Sequence, residues 1–306
     1  MASEGVMATN DDASLCKRYA THMKYWKDDF IQYFVRNVPP RKAPEINRGY
    51  YVRHYSITSV VEQFFSMVSK NCQIVNLGCG FDTLYWNLHQ KDMLPTKGFY
   101  EIDMTQIVQK KMQYIKMRPQ LHQLFKGEMK ITSDQLHTQD YHLMSCDLKN
   151  IEELKSKLYG NGLDKNIPTL FIAECVFVYI EKDWVRELST FIYQDFKVCV
   201  LYDYDPVNLN DRFGEVMKEN LKGRDCLLLG AHDDMKSKMR SYRGFQDVTT
   251  RLLLGIYRNV PKAERGRIEK IEFLDEVDLL EDLLKHYSVV LCSNDPDNIG
   301  LNGIIL

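Results

Sequence analysis

Between residues 73 and 203 the apolar positions come in short runs, each followed by a stretch of helical spacing. The runs are QIVNL (73–77), GFYEID (98–103), YHLMSC (141–146), PTLFIAE (168–174) and KVCVLYD (197–203). Helical patterns fall between them at about 82–90, 104–116, 150–159 and 182–195. Strands that alternate with helices predict an α/β protein built on a mainly parallel sheet. Ahead of this block, 13–36 and 50–70 carry helical spacing. They are joined by NVPPRKAPEINRG, whose prolines force an ordered, non-helical crossing. Beyond 206 the pattern becomes helical, in DRFGEVMKENLKGR, QDVTTRLLLGIYRNV and RIEKIEFLDEVDLLEDLLKHY, with hairpin-like strands at 287–293 and 302–306. The expected organisation is a disordered 1–12 and then a single domain over 13–306. That domain comprises an N-terminal helical cap (13–72), a ligand-binding core (73–205) and substrate-side helices with closing strands (206–306).

Composition narrows the class without changing this outline. The 306 residues are 44% hydrophobic and 27% charged, enough for one large core. A net charge of -2 implies no general attraction to nucleic acid or to a membrane surface. The eight cysteines form no C-x-x-C and no zinc-like cluster, and several lie inside apolar runs, as expected in a reducing cytoplasm or nucleus. The N-terminus lacks an apolar secretion core. The longest apolar run, TLFIAECVFVYI (169–180), falls short of the roughly 20 residues of a membrane span and contains Glu174.

The chemistry gathers at the carboxyl ends of the predicted strands, where open α/β sheets bind ligands. The first run ends in Gly78-Cys79-Gly80 and Asp82, the second in Glu101-Ile102-Asp103, the third in Asp147, the fourth in Glu174 and the fifth in Asp203. Any one of these acids also reads as a helix cap or a solvated turn, but acids at successive strand ends point to a shared pocket. The dinucleotide fingerprint wants a third glycine where this chain has Thr83, and no G-K-[ST] phosphate loop follows. A glycine turn with an acid 23 residues later, Asp103, suits a nucleoside without a pyrophosphate, and so S-adenosylmethionine (SAM) over NAD. Glu174 sits in an apolar run, so it must meet a cation or donors. The ammonium of SAM and a neighbouring Lys or Arg both satisfy that need.

Longer segments carry a resemblance: SLCKRYA (14–20), KAPEINRGYYVR (42–53), QIVNLGCGFDT (73–83), PTLFIAECVFVY (168–179), NDRFG (210–214) and FLDEVDLLEDLLKHY (273–287). Together they span almost the whole chain, which resembles the leucine carboxyl methyltransferase family. That family methylates the C-terminal leucine carboxylate of the protein phosphatase 2A catalytic subunit, an ester that regulates holoenzyme assembly. The resemblance implies a class I SAM-dependent methyltransferase fold with a seven-stranded sheet. It places SAM contacts on Lys17, Arg53, Gly78, Asp103, Asp147, Leu148 and Glu174, to which the glycine turn itself adds Gly80. It also implies phosphatase 2A as partner, a cytoplasmic or nuclear monomer, and neither metal nor nucleic acid. The chain departs from the family at Gly244-Phe245, where relatives often show Gly-Trp, and over 225–258.

A peptide α-carboxylate has a pKa of about 3.3–3.7 and is ionised at pH 7, so its methylation needs alignment and no general base. An arginine fork suits a terminal carboxylate. Arg53 is the first candidate, with Arg212 and Arg48 behind it, and Tyr179 is placed to donate to the same group or to serve as a core aromatic. Two alternatives stay open at this level. One is an O-methyltransferase for a small-molecule or tRNA-linked carboxylate; the other is a catalytically silent protein that binds the phosphatase tail. The D/N-P-P-Y motif of amino-methylating DNA enzymes is missing, and His137 and His142 read as surface loop.

Overall fold

The computed structural model describes residues 4–306. Helices α1 (Glu4–His22), α2 (Ile31–Phe34) and α3 (Pro44–Val68) lead into strand β1 (Gln73–Leu77). There follow α4 (Leu84–Gln90), β2 (Phe99–Asp103), α5 (Thr105–Met117), α6 (Pro119–His122), β3 (Lys130–Ile131), β4 (Gln135–His137), β5 (Tyr141–Ser145) and α7 (Ile151–Gly160). Next come β6 (Thr169–Glu174), a 3-10 turn at Phe177–Tyr179, α8 (Lys182–Asp195), β7 (Cys199–Pro206), α9 (Arg212–Lys222) and α10 (Met235–Arg240). The chain closes with β8 (Asp247–Leu252), α11 (Leu253–Asn259), α12 (Lys262–Glu269), α13 (Val277–Lys285), β9 (Tyr287–Asn294) and a 3-10 turn at Leu301–Gly303.

These strands form one sheet in the order β3-β4-β5-β2-β1-β6-β7-β9-β8. The run β5-β2-β1-β6-β7 is parallel, and β9 enters antiparallel beside β7. Chain order reverses between β1 and β6, which opens a crevice above their carboxyl ends. Alternation sends successive side chains to opposite faces. On one face Ile74, Val200, Tyr202 and Tyr204 meet α3, α4 and α5 through Phe64, Trp86 and Met112. On the other, Val75, Leu77 and Leu201 meet α7 and α8 through Leu154, Leu158 and Phe191. This is a three-layer α/β/α arrangement of the class I methyltransferase type, with β3 and β4 added at one edge.

Several elements depart from the expected pattern. Of the residues expected to be disordered, 1–12, the first three lie outside the described residues and 4–12 are the first turns of α1, where Asn10 Oδ1 accepts from the Phe81 N–H at 2.8 Å. The predicted helix over 246–260 is β8 followed by α11: the β-branched Val248, Thr249 and Thr250 pair with β9 as an exposed edge. Residues 302–306 form no strand; Ile305 bonds through backbone N–H and C=O to the Gln63 side chain on α3. His137 and His142 are a cross-strand pair on β4 and β5, with Nδ1 atoms 3.1 Å apart, and no surface loop.

Candidate active site

A cavity of about 560 Å³ lies above the carboxyl ends of β1, β2 and β6. Its floor is the glycine turn. Gly78 (φ 65°) and Gly80 (φ 49°) hold the left-handed conformation, and Gly78 N–H donates to the Ile102 carbonyl at 2.7 Å. A Cβ on Gly78 would lie 2.5 Å from Val176 Cγ2, so the turn permits no side chain there. Gly78→Ala should therefore cost about 1–3 kcal/mol of stability, read as a lower denaturation midpoint with an unchanged slope. A midpoint equal to the parent's would contradict the close packing of Val176 on this turn.

Asp103 ends β2 beneath the turn. Its Oδ2 accepts from Gly80 N–H and its Oδ1 from Met104 N–H, both at 2.7 Å. Burial pushes this carboxyl up despite those bonds. Each oxygen is thus fixed from the protein side, with remaining lone pairs for a ligand diol.

Glu174 ends β6 and gathers the cations. Arg53 Nε from α3 donates to Glu174 Oε1, and Arg53 Nη2 donates to the Glu174 carbonyl at 3.3 Å. Lys17 Nζ from α1 lies 3.2 Å from Glu174 Oε1 and 3.2 Å from Asp82 Oδ2. Burial alone raises the Glu174 carboxyl, but Arg53 and Lys17 outweigh it and hold it well below the usual carboxylate range. The Arg53 guanidinium packs over Tyr204 at 4.9 Å and Tyr50 at 5.5 Å, so its plane is fixed by stacking as well as by charge.

Of the residues singled out from sequence, Lys17, Arg53, Gly78, Gly80, Asp103, Asp147, Leu148, Glu174 and Tyr179 all line this cavity. Asp147 is exposed, with its carboxylate turned to the Lys149 N–H, while Leu148 is buried. Two arginines are elsewhere. Arg48 Nη2 donates to the carbonyls of Glu269 and Glu272 at 3.2 and 2.9 Å, a structural tie at the end of α12. Arg212 opens α9 at the surface. The specificity of NDRFG is architectural: Asp211 caps α9 through Gly214 N–H, and a Cβ on Gly214 would lie 2.4 Å from Leu209 Cα. Two of the strand-end acids also leave the pocket. Glu101 is wholly buried against Lys111, and Asp203 is wholly buried against Lys238. Sequence reasoning missed Asn10, Tyr50 and Tyr204. Tyr204 alone had a signal, since it alternates with Asp203 and Asp205 along β7 and so faces the side opposite them. Among the described residues no group of three or more His, Cys, Asp or Glu is arranged to hold a metal ion, and no helix is long and apolar enough to cross a membrane.

Comparisons with known proteins show the family and the fold. The family model described as leucine carboxyl methyltransferase matches residues 5–193. Leucine carboxyl methyltransferase 1 of Bos taurus is 37% identical, covering 98% of this chain and 93% of its own length. The Caenorhabditis elegans protein of that name is 36% identical, with 93% and 90% covered. The tRNA wybutosine-synthesizing protein 4 of Homo sapiens is 28% identical over 94% of this chain, which spans 44% of that longer protein. Among solved structures, a Thermobifida fusca protein described as a methyltransferase superposes with a TM-score of 0.56 at 12% identity, covering 92% of this chain and 94% of that one. Matched over most of its length by the family model and nearly end to end by its relatives, the chain belongs to the leucine carboxyl methyltransferase family.

Proposed function

We propose that the protein transfers a methyl group from SAM to the α-carboxylate of a C-terminal leucine, that of the protein phosphatase 2A catalytic subunit. The observation that carries this reading is Glu174, a buried carboxylate held between Arg53 and Lys17 at the rim of the glycine turn. An amino-acid headgroup needs a carboxylate for its ammonium and cations for its carboxylate, and a nucleoside needs an acid for its ribose diol. Glu174, Arg53 with Lys17, and Asp103 meet those needs within one cavity. When bound, SAM supplies an electrophilic methyl carbon on a sulfonium centre.

The chain's own residues do the rest by placement. Gly78 and Gly80 let the backbone approach the nucleoside, while Asp147 and Leu148 close its far side. Arg53, its Nε and Nη2 held by Glu174, offers Nη1 to a carboxylate oxygen, and Tyr179 donates to it. Burial pushes the Tyr179 hydroxyl well above its ordinary pKa, so it stays a proton donor throughout the neutral range. Because the acceptor is already an anion, no base is called for. Leu227 and Leu229 line the cavity yet remain about half exposed, an apolar rim suited to a leucine side chain. Arg48 and Arg212 take no part in this scheme.

The deciding assay uses radiolabelled SAM with assembled phosphatase, intact or lacking its terminal leucine. Base-labile label on the intact form alone is expected; equal label on both would overturn the carboxyl-methylation reading. Glu174→Gln keeps shape but loses the charge that would meet the ammonium. It should weaken SAM binding by roughly 10–100-fold, the equivalent of one charge-assisted hydrogen bond. Calorimetric affinity equal to the parent's would remove Glu174 from the ligand contacts.

A further inference from the structure

Two of the motifs singled out from sequence, NDRFG (210–214) and FLDEVDLLEDLLKHY (273–287), take no part in the proposed chemistry, yet they meet at one side chain. His286 follows the last turn of α13 and is 3% exposed. Its Nε2 lies 2.9 Å from Asp211 Oδ1, and its Nδ1 lies 2.6 Å from the Asp282 carbonyl. The same Asp211 oxygen accepts from Gly214 N–H at 2.9 Å, the bond that caps α9. The Gly214 amide first, and His286 second, hold the Asp211 carboxyl below its ordinary value, so it is an acceptor at neutral pH. Both ring nitrogens therefore face acceptors and donate to them. Phe213, in the first turn of α9, stacks on the ring at 4.4 Å between centroids. Two further bonds complete the junction: Val207 N–H donates to the His286 carbonyl at 2.9 Å, and Asn208 Nδ2 to the Lys285 carbonyl at 3.0 Å.

Both sides of this junction run into the cavity. On one side, Tyr287 lines the cavity and stacks on Tyr204 at 5.4 Å, and Tyr204 carries the Arg53 guanidinium. On the other, α9 reaches the cavity at Leu221, and the chain continues to Leu227 and Leu229 on its rim. Apolar burial does little to fix the direction of this helix, since Gly214 is its one buried residue. Past its far end the chain rests on α1, through an exposed Arg224–Asp12 ion pair and the close packing of Gly5 on the Arg224 carbonyl. Its tie to β7 and β9 is at the first turn. At about 1.5 Å of rise per residue, Leu221 lies roughly 15 Å from Asp211, so a tilt of about 10° at that turn moves it by about 2–3 Å.

We propose that His286 is a positioning residue for the acceptor half of the site. It locks the first turn of α9, and with it the apolar rim at Leu221, Leu227 and Leu229, at a fixed distance from the stack of Tyr287, Tyr204 and Arg53. The inference rests on the proposed methyl transfer for the identity of the acceptor, whose carboxylate meets the stack and whose leucine side chain meets the rim. The donor half, at Gly78, Asp103 and Glu174, is built on the ends of β1, β2 and β6. A loosened α9 therefore weakens acceptor binding and leaves SAM binding alone. The rim meets the leucine side chain in the ground state and the transition state alike, so the loss falls mainly on KM.

Two substitutions of His286 separate the two bonds of its ring. The amide nitrogen of a glutamine reaches the position of Nε2 and donates to Asp211. That of an asparagine reaches only the position of Nδ1 and donates to the Asp282 carbonyl. His286→Asn should raise KM for the phosphatase acceptor about tenfold, with kcat within about threefold and calorimetric SAM affinity within about twofold of the parent. His286→Gln should keep all three within about threefold. Amide hydrogen exchange over 212–222 should quicken roughly tenfold or more in His286→Asn and by less than about threefold in His286→Gln. Equal exchange over α9 in the two variants, or SAM affinity lost in step with acceptor binding, would overturn the positioning role. Exchange and SAM affinity are both read without turnover. If exchange splits as expected while no leucine-terminated acceptor is methylated by the parent, the methyl-transfer reading fails and the anchoring of α9 stands.

Discussion

Arg53→Lys is expected to lower kcat/KM for methyl transfer by about 10²–10³-fold while leaving the fold intact. Lysine preserves the charge at the end of β6, so Glu174 keeps a cation and the melting temperature should change little. The fork is what disappears. Arg53 uses Nε on the Glu174 carboxylate and Nη2 on its carbonyl, and it lies flat between Tyr50 and Tyr204. A single ammonium on a flexible stem cannot hold two bonds in one plane or stack on two rings. Losing about 2.7–4 kcal/mol of oriented, charge-assisted contact corresponds to the stated range. Initial rates against each substrate, with circular dichroism to confirm folding, check it. A rise confined to KM for SAM places the free edge of the guanidinium on the methyl donor; a loss of kcat at saturating donor places it on the leucine carboxylate. Turnover within threefold of the parent would remove Arg53 from the mechanism.

The parts of this site that could be read from sequence are those in which a local rule and a ligand requirement coincide. Apolar runs of five or six residues end β1, β2, β5 and β6, and the residues just past them face the crevice because strand order reverses there. That placed Gly78, Gly80, Asp103, Asp147 and Glu174. The same rule misplaced Glu101 and Asp203 for reasons of geometry. Glu101 points to the same face as Asp103, one pleat deeper, and is met by Lys111 of α5; Asp203 points to the opposite face. Lys17 and Arg53 lie 157 and 121 residues from Glu174, on helices whose polar positions look solvated in isolation. Only the tertiary approach of α1 and α3 to β6 makes them partners. β8 was missed because Thr249 and Thr250 blur the alternation of an edge strand whose inner side is only half-buried, and the apolar start of α11 follows it without a break.

The largest expected stability effect lies at that misplaced acid. Lys111→Met should lower stability by about 3–5 kcal/mol, with a melting temperature lower by on the order of 10 °C. Lys111 and Glu101 are each wholly buried, with Nζ and Oε2 2.5 Å apart. Tyr141 donates to the same oxygen at 2.5 Å, while Oε1 has no partner. Burial by itself lowers the lysine pKa, but Cys79, Glu101 and Asp82 together raise it above the ordinary value, so the ammonium is retained. Methionine fills the space between Phe34 and Trp86 that the lysine stem occupies, so the loss is one of charge and not of volume. What remains is a buried carboxylate with one donor and no cation. It escapes that cost only by taking up a proton, which raises its folded pKa above the unfolded value of about 4.3. A raised carboxyl gives up stability as pH rises, so the variant's deficit relative to the parent should be smaller at pH 5 than at pH 8. Removing both partners, in Lys111→Met with Glu101→Leu, should recover much of the loss, because an apolar pair needs no compensation. Recovery should be incomplete, since Lys111 Nζ also donates to the Asp82 carbonyl at 3.0 Å and steadies the loop whose side chain meets Lys17. A pH-independent deficit, or a double variant no more stable than the single one, would show that the charge is not what Lys111 contributes.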